Sequence, residues 1–265
     1  MSSIYNKIIS TVNAVQYSII EPLLLKRARK RYEWEYTQKD QSPLISITIP
    51  TYDRGKLLIE RTLPSIFAQT YSNFEIIIVG DCCVESTKSI LSTLDDSRVK
   101  FINLKKRTKY PSDPKLRWFI SGVAPSNYGI DLAQGEWICY FDDDDIMAPD
   151  YLESLIDFAK NGNYEFVAGL YEEERNGVKS VQGQKSNQYP EFGGHSTWLY
   201  RSYLSFFKYN INSWRKSYNC PQDIDMQLRM KDAGVRMELL EKVVSYIKPR
   251  PGNMTIGLDA RLEEK

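Results

Sequence analysis

Cysteine and histidine are scarce in this 265-residue sequence, which has four cysteines and one histidine. The cysteines form no Cys-X-X-Cys pair and stand at no metal-binding spacing from His195, so the sequence disfavours a zinc site. Cys82 and Cys83 are adjacent in the chain and are poorly placed for an ordinary disulfide bond. This cysteine usage is typical of a reducing compartment and predicts a cytoplasmic protein.

A strong net charge and a long apolar run are also missing. The formal net charge is +1, so no overall field attracts the protein to nucleic acid, and we expect no nucleic-acid partner. No stretch reaches the roughly 18 to 20 apolar residues that span a bilayer. The first residues lack the clean apolar run of a signal peptide, because Asn6, Lys7 and Asn13 interrupt them.

Residues 1–40 differ in pattern from the rest of the chain. Apolar residues recur there at the period of an amphipathic helix, at Ile4, Ile8, Val12, Val15, Ile19 and Leu23. Five of the six residues from Lys26 to Arg31 are basic. An apolar face beside a basic cluster is typical of a helix on an anionic membrane, which predicts peripheral membrane contact through residues 1–31. A helix that packs on the protein's own core, with its charges in water, explains the pattern equally well.

From Pro43 onward, short apolar runs alternate with helical patterns. Four runs have the composition of buried strands, at residues 44–49, 74–79, 99–104 and 137–141. Helical patterns follow at residues 56–69, 85–94, 124–134 and 149–160. This alternation predicts an α/β fold, in which helices flank a mostly parallel central sheet and a helical segment precedes it.

The second half of the chain is less regular. Residues 166–170 have the pattern of a strand, residues 171–190 that of a polar hairpin or loop, and residues 222–233 that of a helix. Residues 105–121 are rich in Lys, Arg, Pro and Ser, and we expect a mobile, solvated loop there.

Polar residues stand where the predicted strands end. Ligands of such sheets bind beyond the carboxyl ends of the strands. The residues at these ends are Thr51, Tyr52, Asp53, Gly80, Asp81 and Asp142 to Asp145. The carboxyl edge of the sheet is therefore the expected ligand site.

Four consecutive aspartates, Asp142 to Asp145, follow the fourth apolar run. Carboxylates this close repel one another, and a divalent cation removes that repulsion. Mg²⁺ and Mn²⁺ prefer carboxylate oxygens and commonly share them with substrate phosphates. The cluster therefore predicts a Mn²⁺ or Mg²⁺ site. One or two of the four could instead cap the next helix, where its positive end favours acidic side chains.

Two segments carry a resemblance to a known family. The segment SPLISITIPTYDRGKLLIERTLPSIFAQTYSNFEIIIVGDCCVEST resembles the nucleotide-binding opening of family 2 glycosyltransferases with the GT-A fold. The segment AQGEWICYFDDDDIMAPDYL resembles the region around that family's Asp-X-Asp motif. The resemblance implies a GT-A domain over residues 43–260, with a nucleotide-sugar half at 43–145 and an acceptor half at 146–260.

The resemblance also implies roles for individual residues. Donor-nucleotide contacts are implied for Pro50, Thr51, Tyr52, Asp53, Asp81, Asp142 and Asp143. Asp81 matches the aspartate that binds the base or ribose, and the metal ligands are implied at Asp144 and Asp142. The chain departs from the pattern at Asp53, Gly80 and Cys82-Cys83, which stand where the family often has Asn, Asp and Gly-Ser. These departures leave the base open among UDP, GDP and dTDP, with a UDP-sugar favoured.

A catalytic base is expected in the second half of the chain. An acceptor hydroxyl must lose a proton as it attacks the donor sugar, and a carboxylate can take it. Asp223 matches the second member of an acidic pair that holds the base in the family, although Gln222 replaces the first. A single displacement with one base predicts inversion at the anomeric carbon. Asp223 could instead be a helix-start charge, with Asp225 as a solvated neighbour.

Three further residues are candidates for contact with the acceptor or with phosphate. His195 follows two glycines, which allow a ligand to approach the backbone, but a lone histidine is more often structural. Trp198 is a candidate platform for a sugar ring, and Arg250 lies in a loop that could close over phosphate. The basic residues of loop 105–121 could meet a diphosphate, although a solvated loop explains them equally well.

Two other functions compete with glycosyl transfer to a glycan or lipid-linked acceptor. A nucleotidyltransferase also uses aspartates and Mg²⁺ on an α/β sheet, but it usually has a glycine-rich, basic loop after the first strand. Here that loop, PTYDRG, has one arginine and one glycine. A non-catalytic membrane-associated module that binds nucleotide-sugar is the third hypothesis, and it predicts that Asp223 is dispensable.

Overall fold

A computed structural model describes residues 3–37, 42–175, 177–185, 192–213 and 220–249. Within these residues nine strands form one sheet, in the order β3-β2-β1-β4-β8-β6-β9-β5, with β7 paired to β6. The strands are β1 (Ile45–Thr51), β2 (Phe74–Gly80), β3 (Val99–Asn103), β4 (Trp137–Tyr140), β5 (Ile146–Met147), β6 (Phe166–Arg175), β7 (Val178–Gln182), β8 (Trp198–Arg201) and β9 (Met237–Ile247).

Helices cover the sheet and precede it in the chain. They are α1 (Ser3–Val15), α2 (Glu21–Thr37), α3 (Gly55–Leu57), α4 (Leu63–Phe67), α5 (Glu85–Leu91), α6 (Pro114–Phe119), α7 (Val123–Leu132), α8 (Tyr151–Gly162) and α9 (Gln222–Ala233). A π-helical turn, Gln16–Ile20, joins α1 to α2, and a second one, Leu58–Thr62, joins α3 to α4.

The first half of the sheet is parallel, as the alternating pattern predicts. β1 pairs in parallel with both β2 and β4, and β2 pairs in parallel with β3. Every residue of β1 is buried, because helices pack on both faces of this part of the sheet. The α/β fold with a parallel core is therefore confirmed, and the four predicted strands fall within two residues of their observed ends.

The second half of the sheet is mixed. β8 pairs antiparallel with β4 and with β6, while β9 runs parallel to β6. β6 is longer than the run at residues 166–170 indicates, because it continues into an antiparallel hairpin with β7. The helix predicted at residues 222–233 is confirmed as α9.

Residues 105–121 are more ordered than their composition indicates. They include the short helix α6, whose first turn is capped by the side chain of Asp113 at 3.0 Å from the Leu116 amide. Thr108 and Tyr110 bind the carboxylate of Asp81. The expectation of a mobile, solvated loop is therefore wrong for this part of the segment, because it is anchored to the edge of the sheet.

The helical segment before the sheet is one continuous helix from α1 through α2. Among the described residues it is the one helix, Ile8–Trp34, that is long and apolar enough by composition to cross a bilayer. The expectation that no segment is long and apolar enough to span a bilayer is therefore wrong. The polar residues that interrupt the pattern do not lower the mean hydropathy of the helix enough to exclude it. Leu25 on its inner face is buried in the core.

Candidate active site

The expected ligand residues do lie along one edge of the sheet. Thr51 ends β1, Asp81 follows β2, and the acidic cluster begins two residues after β4. Because these three strands are parallel neighbours, their carboxyl ends meet at the same edge. Pro50 lies within β1 opposite Val79 and forms part of the buried wall beneath this edge.

Two carboxylates of the acidic cluster converge on one guanidinium. Arg54 donates from Nη1 to Oδ1 of Asp143 at 2.8 Å and to Oδ2 of Asp144 at 3.1 Å. Both carboxylates are buried, and Thr51 donates its hydroxyl to Asp143 at 2.7 Å. Burial lowers the pKa of Arg54, but the two carboxylates outweigh burial and raise it above its ordinary value. One guanidinium thus serves two buried carboxylates and offsets only part of their charge, and burial raises the pKa of Asp143 above its ordinary value.

Asp142 points in another direction. Its carboxylate accepts hydrogen bonds from the hydroxyl of Tyr140 at 3.0 Å and from the hydroxyl of Ser196 at 3.2 Å. Ser196 also accepts from the backbone amide of Asp142 at 3.1 Å. The acidic run is thus divided: Asp143 and Asp144 face the β1 loop, and Asp142 faces the second half of the chain.

Asp81 is buried and fully occupied by the 105–110 segment. The amide and hydroxyl of Thr108 donate to one carboxylate oxygen at 3.1 and 2.9 Å, and the hydroxyl of Tyr110 donates to the other at 2.6 Å. Burial raises the pKa of Tyr110 above its ordinary value, which keeps it a donor. A nucleotide base that bound Asp81 would have to share it with these groups or displace them.

The residues after β1 form the outer wall of this edge. Tyr52 is partly exposed, and the guanidinium of Arg107 lies 3.4 Å from the centroid of its ring. Asp53 adopts a left-handed conformation (φ 53°) and accepts a hydrogen bond from the amide of Val84 at 2.8 Å. The side chain of Asp53 therefore joins the β1 loop to the turn that follows β2.

The turn after β2 explains a departure from the family pattern. A β-carbon at Gly80 would lie 2.5 Å from Oδ1 of Asn103, a side chain that makes two hydrogen bonds to the backbone of Cys83. A side chain at this position would therefore displace Asn103 from those two hydrogen bonds, which favours glycine over the aspartate often found in the family. All four cysteines lie in the described residues as free thiols.

Asp223 and Asp225 have opposite environments at the start of α9. Asp225 is fully buried and pairs with Nε of Arg229 at 3.0 Å, so its interpretation as a solvated neighbour is wrong. In contrast, Oδ1 of Asp223 is a buried atom without a hydrogen-bond partner in the described part of the chain. A buried carboxylate oxygen with no partner is costly unless a ligand or water completes it.

A cluster of rings lies between Asp142 and Asp223. The ring of His195 lies 4.4 Å from that of Tyr140 and 5.3 Å from that of Tyr209, measured between centroids. Burial raises the pKa of Tyr209 well above its ordinary value, and the charges of Asp223 and Asp142 raise it further. Nε2 of His195 and the hydroxyl of Tyr209 are also buried without a partner among the described residues. The ring of His195 thus packs on a phenol whose pKa the charge of Asp223 raises.

Trp198 borders this cluster, with its ring 5.0 Å from that of His195 between centroids, but it is closed to a ligand. Trp198 is fully buried in the core, where its ring packs on Phe166 at 5.1 Å between centroids, so its interpretation as a sugar platform is wrong. Arg250 lies outside the described residues.

Tyr140, Arg54 and Tyr209 are among the site residues that the sequence analysis did not identify. Tyr140 could have been found, because it stands two positions before Asp142 and side chains at that spacing share a face. Arg54 is the single cation of the loop after β1, which marks it as the partner of nearby carboxylates. Nothing local in the sequence points to Tyr209.

The acidic cluster offers part of the shell of a divalent ion. No group of three carboxylate, thiol or imidazole side chains within the described ranges is arranged to hold a metal. Asp143 and Asp144 nevertheless converge on a single positive point, which Arg54 fills. Mg²⁺ in particular is usually held by one or two carboxylates together with substrate phosphates and water. The pair therefore fits such an ion once the guanidinium moves aside.

Comparison with known sequences decides the family. The profile described as Glycosyl transferase family 2 matches residues 46–112 and 124–224, which include Thr51, Asp81, the acidic cluster, His195 and Asp223. The chain belongs to glycosyl transferase family 2. Its similarity to the GalNAc(5)-diNAcBac-PP-undecaprenol beta-1,3-glucosyltransferase of Campylobacter jejuni is 32% identity over 146 residues. That match covers 54% of this chain and 43% of the relative, so the chain spans less than half of that protein.

Two solved structures share the fold. The chain is similar to S. aureus TarS 1-349 in complex with UDP-GlcNAc, with a TM-score of 0.59 and 20% identity over 79% of this chain and 59% of that one. It is also similar to the mannosyltransferase PcManGT from Pyrobaculum calidifontis in complex with GDP-Man and Mn²⁺. There the TM-score is 0.57 and the identity 15%, over 93% of this chain and 70% of that one. The GT-A fold is therefore confirmed.

Proposed function

We propose that this protein transfers a sugar from a nucleoside-diphosphate sugar to the hydroxyl of a glycan or lipid-linked acceptor, in the cytoplasm. The observation that carries the proposal is the convergence of Asp143 and Asp144 on one cationic point at the edge where Thr51 and Asp81 also lie. Membership of glycosyl transferase family 2 supports the reaction class. The name of the Campylobacter relative supports an acceptor carried on a lipid diphosphate.

The donor half binds the nucleotide and its diphosphate. Asp81 takes the base or ribose, and Tyr52 forms the wall beside it. Asp144, with Asp142 or Asp143, would hold Mn²⁺ or Mg²⁺ together with the diphosphate of the donor. When bound, such an ion would supply positive charge to stabilise the departing diphosphate. Complexes of similar structures with UDP-GlcNAc and with GDP-Man and Mn²⁺ support this role, and a UDP-sugar is the favoured donor.

The acceptor half removes the proton of the attacking hydroxyl. Oδ1 of Asp223 is the catalytic base in this proposal, because it is a buried acceptor that no described residue uses. His195 orients the same hydroxyl through Nε2, the atom that is also left without a partner. One base and one displacement give a product with inverted anomeric configuration.

A thermal-shift panel of UDP-, GDP- and dTDP-sugars, each with and without Mn²⁺, tests the donor half directly. We expect one nucleotide to raise the melting temperature, and to do so only with Mn²⁺, because a ligand that binds the folded state stabilises it. The absence of any response to all three nucleotides would contradict the proposal.

The stereochemistry of the product tests the acceptor half. We expect NMR of the product formed from an α-linked donor to show a β linkage. A product that keeps the α configuration would exclude a single displacement with Asp223 as base.

A further inference from the structure

The helix that precedes the sheet exposes an apolar stripe along its outer side. The large apolar side chains on this side are 45–59% exposed. They are Ile8, Val12, Val15, Ile19, Ile20 and Leu23. A protein rarely leaves such a continuous row of large aliphatic residues in water, so the stripe indicates a contact surface.

The opposite side of the same helix is fixed to the domain, largely through charged and polar groups. Glu21 pairs with Nη1 of Arg229 at 2.6 Å, and both side chains are buried. Arg29 makes a bidentate pair with Glu165, at 2.7 and 2.6 Å. Arg236 pairs with Glu33 one turn further along, at 2.9 Å. The helix therefore does not turn its apolar side to the core.

The π-helical turn keeps these two sides in line. Four residues at intervals of four all contact the domain: Tyr17, Glu21, Leu25 and Arg29. In an ordinary α-helix, side chains at this interval move gradually around the helix axis and would not stay on one side. The wider turn at Gln16–Ile20 corrects that drift. Both the anchors and the exposed stripe thus stay on fixed sides along the helix.

Basic residues extend the exposed stripe. Lys26, Arg27, Lys30 and Arg31 are all exposed, and Trp34 beyond them is 60% exposed. An apolar row followed by cations and an exposed tryptophan complements a bilayer whose surface is anionic and whose interior is apolar. A partner without negative charge would leave the four cations uncompensated.

We propose that the outer side of the helix formed by α1 and α2 binds the surface of an anionic phospholipid bilayer and lies in its plane. The anchors explain why it lies on the membrane rather than across it. They attach the helix to the domain from Tyr17 to Glu33, so a spanning helix would pull charged parts of the domain into the hydrocarbon.

This orientation also places the acceptor cluster near the membrane. A cavity of about 340 Å³ lies between the inner side of the helix and the domain, with Asn13 and Tyr17 on one wall and Asn127 and Tyr209 on the other. Tyr209 also contacts His195. The bound bilayer would therefore present a lipid-linked acceptor to this half, an extension that rests on the proposed function.

Co-sedimentation of the full chain with vesicles tests the membrane contact. One set of vesicles is pure phosphatidylcholine and the other contains about one third phosphatidylglycerol. We expect the protein to pellet with the anionic vesicles at least about tenfold more strongly, and added salt to weaken this binding. Equal binding to both sets, or none to either, would overturn the proposal.

A matched pair of double variants tests the surface. Ile19→Glu with Leu23→Glu adds two charges to side chains that are 54% and 52% exposed. Val178→Glu with Val181→Glu makes the same change on β7, at 67% and 44% exposure. We expect the first variant to bind at least about tenfold more weakly and the second to bind like the unmodified protein. Because all four positions are exposed, both variants should keep their melting temperature.

Two further outcomes would assign the stripe to another role. A dimer in light scattering that the Ile19→Glu, Leu23→Glu variant dissociates would identify a second copy as the occupant. Protein that stays with the vesicles in alkaline, high-salt buffer would identify a spanning helix. Vesicle binding needs no donor, so binding without any nucleotide response would reject the proposed function and leave the membrane contact intact.

Discussion

The two halves of the candidate site treat their buried polar groups in opposite ways. In the donor half, Asp81, Asp143 and Asp144 are all held by partners from the same chain. In the acceptor half, Asp223, His195 and Tyr209 each leave one buried atom without a partner in the described residues. The carboxylates of the donor half thus have hydrogen-bond partners without ligand, whereas the acceptor half has hydrogen-bonding capacity that a substrate can use.

This difference matches the two tasks of the proposed reaction. The donor brings a diphosphate with several negative charges. Together with a divalent ion, this diphosphate can take the place of internal partners such as Arg54, because the ion binds both the carboxylates and the phosphates. The acceptor brings neutral hydroxyls, which need acceptors and donors that are still available.

The largest effect is expected from Asp223→Asn in the acceptor half. If Asp223 takes the proton, donor turnover should fall about 10² to 10⁴-fold, while the melting temperature and donor affinity stay unchanged. The measurement is release of nucleoside diphosphate from the donor that the thermal-shift panel identifies. Unchanged turnover would exclude Asp223 as the base, whereas donor binding without turnover in the unmodified protein would support a binding module in place of an enzyme.

Asp225→Asn is the matched control two residues away. Asp225 pairs with Arg229 in the core, so its loss should destabilise the fold by about 3 kcal/mol because a buried charge loses a partner. The expected results are therefore opposite: Asp223→Asn affects turnover and Asp225→Asn affects the midpoint of urea unfolding. A similar loss of stability in both variants would remove the distinction between the two aspartates.

Arg54→Gln tests the hydrogen-bond partners of the donor half. Without the guanidinium, Asp143 and Asp144 face each other as buried charges, so the free energy of unfolding should fall by about 3 kcal/mol. Mn²⁺ alone should then raise the melting temperature of the variant more than that of the unmodified protein, because the ion no longer competes with Arg54.

Arg61→Gln is the control for Arg54. Arg61 contacts the same segment, but it donates to the backbone carbonyl of Asp144 rather than to a carboxylate. Its replacement should leave the response to Mn²⁺ unchanged. If Mn²⁺ fails to stabilise Arg54→Gln, the metal assignment to Asp144 loses its support.

The parallel half of the fold could be predicted from sequence because its signals are local. Each of the strands β1 to β4 is a short apolar run with a helix after it, and the polar residues that follow mark the edge of the sheet. The same logic located Asp81 and the acidic cluster. It could not say that Asp142 turns away from its neighbours, since Tyr140 and Ser196 decide that through packing.

The contacts that close the site were beyond prediction because they join distant segments. Trp198 packs on Phe166 of β6, and Tyr209 packs on Tyr140 of β4, although each pair is far apart in the sequence. The 105–121 segment has the composition of a solvated loop, and only its position beside β2 brings Thr108 and Tyr110 to Asp81. The composition of a segment indicates whether it can be exposed to solvent, but it does not indicate which buried residue the segment contacts.

The smallest effect is expected from Tyr110→Phe, which removes one of the three hydrogen bonds that occupy Asp81. If the donor base displaces Tyr110, the variant should bind the nucleotide about fivefold more tightly, since a bond of about 1 kcal/mol no longer has to break. Isothermal titration with the nucleotide selected by the thermal-shift panel measures this, and Tyr128→Phe at an exposed site serves as control. Weaker binding would instead mean that Tyr110 stays on Asp81 in the complex and holds it for the base. Either result determines whether the donor half reorganises or only accepts its ligand.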